Sequence, residues 1–561
     1  MSYSSWTSGT TTLVCLGVLG LLSHRLYFIH GEHHLKGPQY VTAWGLFVAI
    51  AVYYLVSVGH DILWPIFAAN VAFFCPLYAS IVVYRVFEHP LRHFDGPPLA
   101  AASKLWHFAH MFTTPNHLFL DNIVRKYGDF VRTGPQELTV VHPGIWDALS
   151  SRDNTCIKAP WYDMLYPYVS LNSIRGKEGY RTRRRLWDEA LRISKSYLPE
   201  EDSCIERFAT LLHQQVEASS GRVLNMKSLF TDFSFDVMGD IAFGRSFSLL
   251  KGSNDATPEE SHDAPELISQ GMSMLRFFTP IPWIARICFG LAPYVPVITQ
   301  KWNRALGWAA EVCDDRIKRD VGNGTDAFSR FIAAASVDGT GKSFDRLALY
   351  GDAFAITVAG SHSTAATLTM MFFELARHPD VQDQVRTEVL SASYDGEAKG
   401  GVDRVAVRYP LLDACITETL RLYPVVPTGG IRQTVNTGMH IGDKYIPPHT
   451  IIVAPRWTLG RLESAFERPN EFIPERWTSK PQLVKDARPY NGFGIGQHSC
   501  PGKKLGLAEV RCVAARLLAS FEFAHAESDP TKTRTIDDLQ DSFTAAPGDL
   551  ELVFKPLVNQ P

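Results

Sequence analysis

The chain has 561 residues, with 55 Lys and Arg against 58 Asp and Glu, a formal charge of -3 and a pI near 6.7; this balance excludes the basic footprint of a nucleic-acid-binding protein. At 46% hydrophobic residues, with 12 Trp and 33 Phe, it has ample material for a large core. Its nine cysteines, at 15, 75, 156, 204, 288, 313, 415, 500 and 512, contain no CxxC pair, which argues for thiols in a reducing compartment rather than a disulfide framework.

Three apolar stretches open the chain. Residues 11–29 are interrupted by His24 and Arg25, whereas 41–58 and 62–84 carry no charge. Each is about long enough to cross hydrocarbon, and a signal peptide competes only for the first. Arg25 and Lys36 fall toward the first connection, and Arg85, Arg92 and Lys104 follow the third stretch. The positive-inside tendency then puts the large domain in the cytosol. Three spans place the N-terminus across the membrane and the first loop beside the large domain, whereas two spans return both ends to one side. Pro90, Pro97 and Pro98 stiffen the exit, so the expected division is an anchor over 1–94 and a large domain over 95–561.

Within the large domain, Asn116 to Tyr127 reads as a helix and Phe130 to Val141 as extended chain broken at Gly134-Pro135. Glu178 to Lys195 has helical spacing, with Tyr180 followed by Arg181, Arg183, Arg184 and Arg185; in isolation this is equally a solvated basic face. Met226 to Ile241 is a helix, residues 252–266 a polar loop, Leu267 to Val297 an apolar tract suited to a substrate entrance or to core packing, and Trp302 to Arg319 a charged amphipathic helix. Leu347 to Ala376 is the longest helical stretch here, interrupted by Ala359-Gly360-Ser361-His362-Ser363-Thr364, whose hydroxyls can bond back to carbonyls and open the helix.

Leu411 to Tyr423 carries Glu418 and Arg421, three apart on one helical face, with Pro474-Glu475-Arg476-Trp477 downstream. Met439 to Ile446 and Ile451 to Ala454 read as short strands, and Asp541 to Phe554 as a hairpin through Pro547-Gly548, with Phe543-Thr544 near its tip. The run Phe493-Gly494-Ile495-Gly496-Gln497-His498-Ser499-Cys500-Pro501-Gly502 precedes a helix over Leu505 to Phe521. Its glycines let the backbone approach something large and flat, and a cysteine just before a helix N-terminus is placed for a stabilised thiolate.

This last loop resembles the haem-binding loop of the cytochrome P450 family, Phe-x-x-Gly-x-Arg-x-Cys-x-Gly: Phe493, Gly496, Cys500 and Gly502 match, and His498 replaces the arginine. The hinge, the basic helix, the glycine-broken helix, Glu418 with Arg421, Arg476 and the Cys500 loop occur in the family's order and spacing over about residues 95–560, and on them the chain is identified as a member. The resemblance implies a mainly α-helical cytochrome P450 fold with small β-sheets, preceded by N-terminal transmembrane helices. It implies haem b with Cys500 as axial thiolate and iron ligand, and Phe493 and Gly502 against the cofactor. Arg184, Arg432 and His498 are implied at the haem propionates, with Tyr180 replacing the usual tryptophan four residues before Arg184. Glu418, Arg421 and Arg476 are implied as a structural triad.

In the family's distal helix, Ala/Gly-Gly-x-Asp/Glu-Thr-Thr/Ser relays protons toward dioxygen. Ala359, Gly360 and Thr364 fit; the acid is His362 and the threonine Ser363, so His362, Ser363 and Thr364 are the implied catalytic group. The implied activity is monooxygenation of a hydrophobic small molecule at the endoplasmic reticulum membrane. Electrons would come from NADPH through a separate NADPH-cytochrome P450 reductase meeting Lys503 and Lys504, with cytochrome b5 as a further carrier. The several N-terminal spans resemble filamentous-fungal members that act on secondary metabolites. A haem-thiolate isomerase or dehydratase, and a haem-binding membrane protein without turnover, are the alternative functions.

Overall fold

The computed structural model describes residues 3–59, 61–151, 156–193, 203–251, 264–291, 300–319, 324, 326–336, 345–394, 409–526 and 534–557. Most of the polar loop expected over 252–266 lies outside the described residues, as does the end of the apolar tract at 292–297.

Three helices, Tyr3–Ser23, Gly37–Ser57 and Leu63–Val83, form the N-terminal part. Their apolar spans, Thr10–Phe28, His34–Ser57 and Leu63–Glu88, are long and apolar enough to cross a membrane. The first and third run parallel in close contact: a Cβ at Gly17 would sit 3.4 Å from the Ala72 carbonyl, and one at Gly20 would collide with the Phe73 carbonyl. Without a dominant hydrophobic drive between helices in lipid, such backbone approach supplies the packing. The polar residues that interrupt the first stretch are paired with the third helix and its extension. His24 Nδ1 lies 2.8 Å from the Ser80 hydroxyl, and Arg25 holds Glu88 through two bonds of 2.6 and 2.8 Å. The second helix runs the opposite way, joined to the third by Trp44 Nε1 donating to Asn70 Oδ1 at 2.9 Å.

The proline hinge is locked onto the first strand of the domain. Arg132 N–H donates to the Asp95 carbonyl at 2.8 Å, and its guanidinium donates to the Arg85 and Pro135 carbonyls, each at 2.8 Å.

A five-stranded sheet follows, in the order Phe130–Gly134, Glu137–Val140, Ile451–Val453, Arg432–Gln433, Ile157–Lys158. Its last pair aligns Lys158 with Arg432. Met439–Ile441 and Lys444–Ile446 make a separate hairpin with Gly442 at φ 58. The C-terminal hairpin is tighter than the sequence suggests: Gln540–Ser542 pairs with Thr544–Ala546 around Phe543 at φ 73, so Phe543 is the turn itself. Pro547-Gly548 instead leads into Glu551–Pro556, the central strand of a three-stranded sheet between Val223–Asn225 and Phe521–His525. Leu552 and Phe554, on one face of this strand, are fully buried, and both of its backbone edges are paired, which a terminal hairpin would not supply.

The core is helical. Arg346–Thr357 and Ser363–Arg377 form one long rod with a π-turn, Val358–His362, between them. The second half is buried nearly all round, with Leu368, Met371, Phe372, Phe373 and Leu375 fully enclosed. The apolar tract forms two helices, Ala264–Phe278 and Pro282–Leu291.

Candidate active site

The Cys500 loop folds tightly on itself before the helix Lys503–Ser520. Gly494 and Gly496 take φ 75 and 66, and Cys500 N–H donates to the Phe493 carbonyl at 2.7 Å. A Cβ on Gly494 would lie 3.0 Å from the His498 carbonyl and 3.2 Å from Ser499 Cα, in a conformation that already disfavours L side chains. Cys500 has an open surface, yet desolvation pushes its thiol pKa up, opposed by the Gly502 N–H, Arg184 and Lys503. Its sulfur is reachable yet surrounded by protein atoms. The opposing N–H and cations are what a thiolate ligand needs.

Helix Lys177–Ile193 rivets this loop. Tyr180 Oη donates to the Gln497 carbonyl at 2.9 Å; Arg184 donates to the Gln497 and Ser499 carbonyls at 3.1 and 2.6 Å, and its Nε is held by Asp188 at 2.9 Å. The basic face is therefore not merely solvated. Arg183 pairs with the buried Asp352 of the distal rod, which also accepts from Trp187 Nε1 at 3.1 Å and which burial pushes to about 7.

His498 packs its ring 4.5 Å from that of Tyr180, and its buried Nδ1 has no hydrogen-bond partner. Burial, followed by Arg432, Lys158, Arg184 and Lys177, lowers its pKa to about 3. Arg432, Lys158, Arg184 and Lys177 are basic groups around the imidazole, although burial and Arg432 push the Lys158 ammonium pKa well below its usual range; the corner suits an anion. Arg432 itself donates to its neighbour's carbonyl, Ile431, at 3.1 Å. Lys158, absent from the sequence reading, is buried beside it with Nζ on the Leu171 and Asn172 carbonyls at 2.7 and 2.8 Å.

On the distal side the π-turn brings Ser363 Oγ to the Ala359 carbonyl at 2.6 Å and leaves the buried Ser361 hydroxyl unpartnered. His362 is half-buried, its ring 5.8 Å from Phe235, and burial alone lowers its pKa to about 4, so it is neutral at pH 7. Gly360 lies against the Met238 side chain, which would have to move to admit a Cβ there. Gly506, on the helix following Cys500, faces Thr364; a Cβ there would be 3.9 Å from Thr364 Oγ1. The rod thus packs, at Thr364, against the helix that follows the cysteine loop.

Residues 99–552 match the family described as Cytochrome P450. The chain belongs to the cytochrome P450 family. Among curated relatives it is 35% identical over 546 residues to a cytochrome P450 monooxygenase of Fusarium pseudograminearum, covering 96% of each chain. It is 32% identical over 532 residues to the tryprostatin B 6-hydroxylase of Aspergillus fumigatus, covering 92% of this chain and 91% of that protein. A cytochrome P450 monooxygenase of Aspergillus versicolor is 32% identical over 517 residues, 90% of this chain and 91% of that protein.

In this cytochrome P450 the Glu418 cluster sits in the core behind the cysteine loop. Glu418 accepts from Arg421 Nε and Nη2 at 2.8 Å each, Arg476 Nε at 2.9 Å, Ile473 N–H at 3.0 Å and Trp477 Nε1 at 2.8 Å. Burial works to raise the Glu418 pKa; Arg421, Arg476 and the Ile473 N–H outweigh it and hold the carboxylate below its usual range. The cytochrome P450 also buries an acid that sequence reasoning missed. Burial raises Glu509 to about 8 against a hydrogen bond with Thr364, and its Oε2 has no partner. No local pattern marks Glu509, which falls in a helix buried over most of its length; its burial comes from the helices around it.

Proposed function

We propose that this cytochrome P450 is a membrane-anchored haem-thiolate monooxygenase that oxidises a hydrophobic small molecule, a secondary metabolite, using electrons from NADPH delivered by a separate NADPH-cytochrome P450 reductase, with cytochrome b5 as a further carrier. The observation that carries this reading is Cys500: an open but desolvated thiol in a glycine-folded loop, with Gly502 N–H directed at its sulfur. In this reading the anchor is 1–94 and the catalytic domain 95–561, and Phe493 and Gly502 shape the loop against the cofactor. Haem, when bound, supplies oxygen activation through its iron.

The chain's own residues supply the rest. Cys500 would ligate the iron, and Arg432, Lys158 and the orphaned Nδ1 of His498 would hold the haem carboxylates, while Arg184 braces the loop. His362 is neutral and can accept a proton; Ser363 and Thr364 offer hydroxyls beside it. Lys503 and Lys504 are exposed next to the loop and suit an acidic reductase surface. His362 in place of an acid, and the Ser363 hydroxyl engaged by Ala359, favour isomerase or dehydratase chemistry as the second reading.

The chain is read as multi-pass in the endoplasmic reticulum membrane. Glu32 and His34, between the first two apolar helices, bond to Arg175 and Asp163 of the large domain, which supports a loop and a catalytic domain sharing the cytosolic side. Incubating membranes that contain the protein with candidate metabolites, NADPH, reductase and isotopically labelled dioxygen tests the function. One labelled oxygen in the product supports it; turnover without NADPH or dioxygen selects the second reading.

A further inference from the structure

We propose that the loop joining the first two membrane helices clamps the wall of the substrate pocket, with Glu32 and His34 as positioning residues for access of apolar molecules dissolved in the bilayer; this rests on the haem-thiolate reading. Glu32 accepts from both Nη atoms of Arg175 at 2.7 Å, and His34 Nε2 lies 2.8 Å from Asp163 Oδ2. Arg175 also donates to Asp163 at 2.6 Å, to the Lys158 carbonyl at 2.8 Å and to Gln433 Oε1 at 3.0 Å. Arg175 thus supplies the cation that draws Glu32 and Asp163 together. Side-chain exposures of 10% for His34, 15% for Arg175 and 19% for Asp163 separate this cluster from a solvated surface pair, while Glu32 keeps 35%.

The cluster holds the turn Pro160–Leu165 and the strand Arg432–Gln433 directly, and the C-terminal hairpin through that turn. Asp163 lies in the turn Pro160–Leu165, whose buried Trp161 stacks on Phe543 at 4.6 Å. Phe543 is the turn of the C-terminal hairpin, and that hairpin's second strand packs on the π-turn holding His362. Gln433 follows Arg432 of the cationic cradle. On the lipid side, helix Pro282–Leu291 packs against both the Pro160–Leu165 turn and the second membrane helix. There a Cβ on Gly37 would meet Ile287 Cγ1 at 3.1 Å. Trp283 on the same helix is exposed, and Arg286 donates to the Tyr166 carbonyl just past the turn. The N-terminal helices are therefore packed onto the turn carrying Trp161, and in this proposal releasing the loop loosens that turn and alters entry of apolar molecules beside it.

The test uses the full-length protein in phospholipid nanodiscs and 4-phenylimidazole, whose binding shifts the ferric spectrum, followed by stopped flow. Glu32→Gln and His34→Ala are expected to change the azole association rate by about fivefold. The double variant should be less than additive because both act on one cluster, and Glu32→Asp should restore the parent rate. Haem content and the reduced carbon-monoxide spectrum should match the parent in each. Parent-like rates in both single variants overturn the clamp, and so does a rate change that appears only with loss of haem. A parent protein without a thiolate-type carbon-monoxide band would instead overturn the haem-thiolate reading beneath it.

Discussion

Replacing Glu418 with alanine strands four donor groups at once, those of Arg421, Arg476, Ile473 and Trp477. The side chains of Glu418, Arg421 and Arg476 are all 0% exposed, so a water entering the space left behind could accept some of these bonds but could not supply the lost negative charge. Arg421 would keep the Gly460 and Pro469 carbonyls, both at 2.6 Å, but no carboxylate would remain to neutralise either guanidinium. Breaking a buried ion pair by deleting one partner costs about 3–5 kcal/mol, and each orphaned buried N–H adds about 1–3 kcal/mol. These losses overlap at one site, so a total near 5 kcal/mol is expected, comparable with the whole stability of a typical domain at about 5–15 kcal/mol. Thermal unfolding followed in parallel by far-ultraviolet circular dichroism and Soret absorbance should show Glu418→Ala melting about 5 °C below the parent. Glu418→Gln keeps an acceptor and should fall between them. Trp477→Phe removes one donor and should cost about 1 kcal/mol. If Glu418→Ala melted within about 2 °C of the parent, the cluster would not be what holds this part of the core.

Cys500→Ala should abolish the thiolate-type Soret band of the reduced carbon-monoxide complex, and an unchanged band would refute the ligand assignment. His362→Ala should lower product formed per NADPH while leaving haem content unchanged; equal coupling in variant and parent would make the histidine a space-filler. Glu509 gives a pH prediction: its carboxyl is raised from 4.5 to about 8 by burial, so over that window the folded protein binds more protons than the unfolded chain and stability falls as pH rises. Melting temperatures measured across the window should therefore decline less steeply in Glu509→Gln than in the parent, and identical slopes would count against the buried-acid assignment.

Features set by neighbouring residues were legible in the amino-acid order. The glycine-folded cysteine loop, the apolar spans, the small polar break in the distal helix and the Glu418–Arg421 spacing each depend on backbone freedom, hydropathy or helical period within a short window. The observed π-turn Val358–His362 falls where Ala359–Thr364 marked the interruption, because hydroxyls bonding back along the helix compete with its own ladder.

What depends on distant segments meeting was not legible. Lys158 joins the cationic cradle only because a two-residue strand pairs it with Arg432, and Glu509 is an acid kept from water only by the helices around it. Spacing alone reads Arg183 as part of a charged face and the resemblance puts Arg184 at a haem propionate; tertiary packing sets Asp352 against the first and the Cys500 loop carbonyls against the second. The C-terminal strand was assigned to a hairpin because its two partners in the sheet come from residues 223–225 and 521–525. The anchor loop's hold on Arg175 likewise spans a large separation along the chain. Local chemistry determined which residues could serve as ligand, helix breaker or membrane span, while long-range burial decided which of their charges are neutralised, which pKa values move and which side chains share one cavity, because desolvation and pairing exist only once remote segments are packed together.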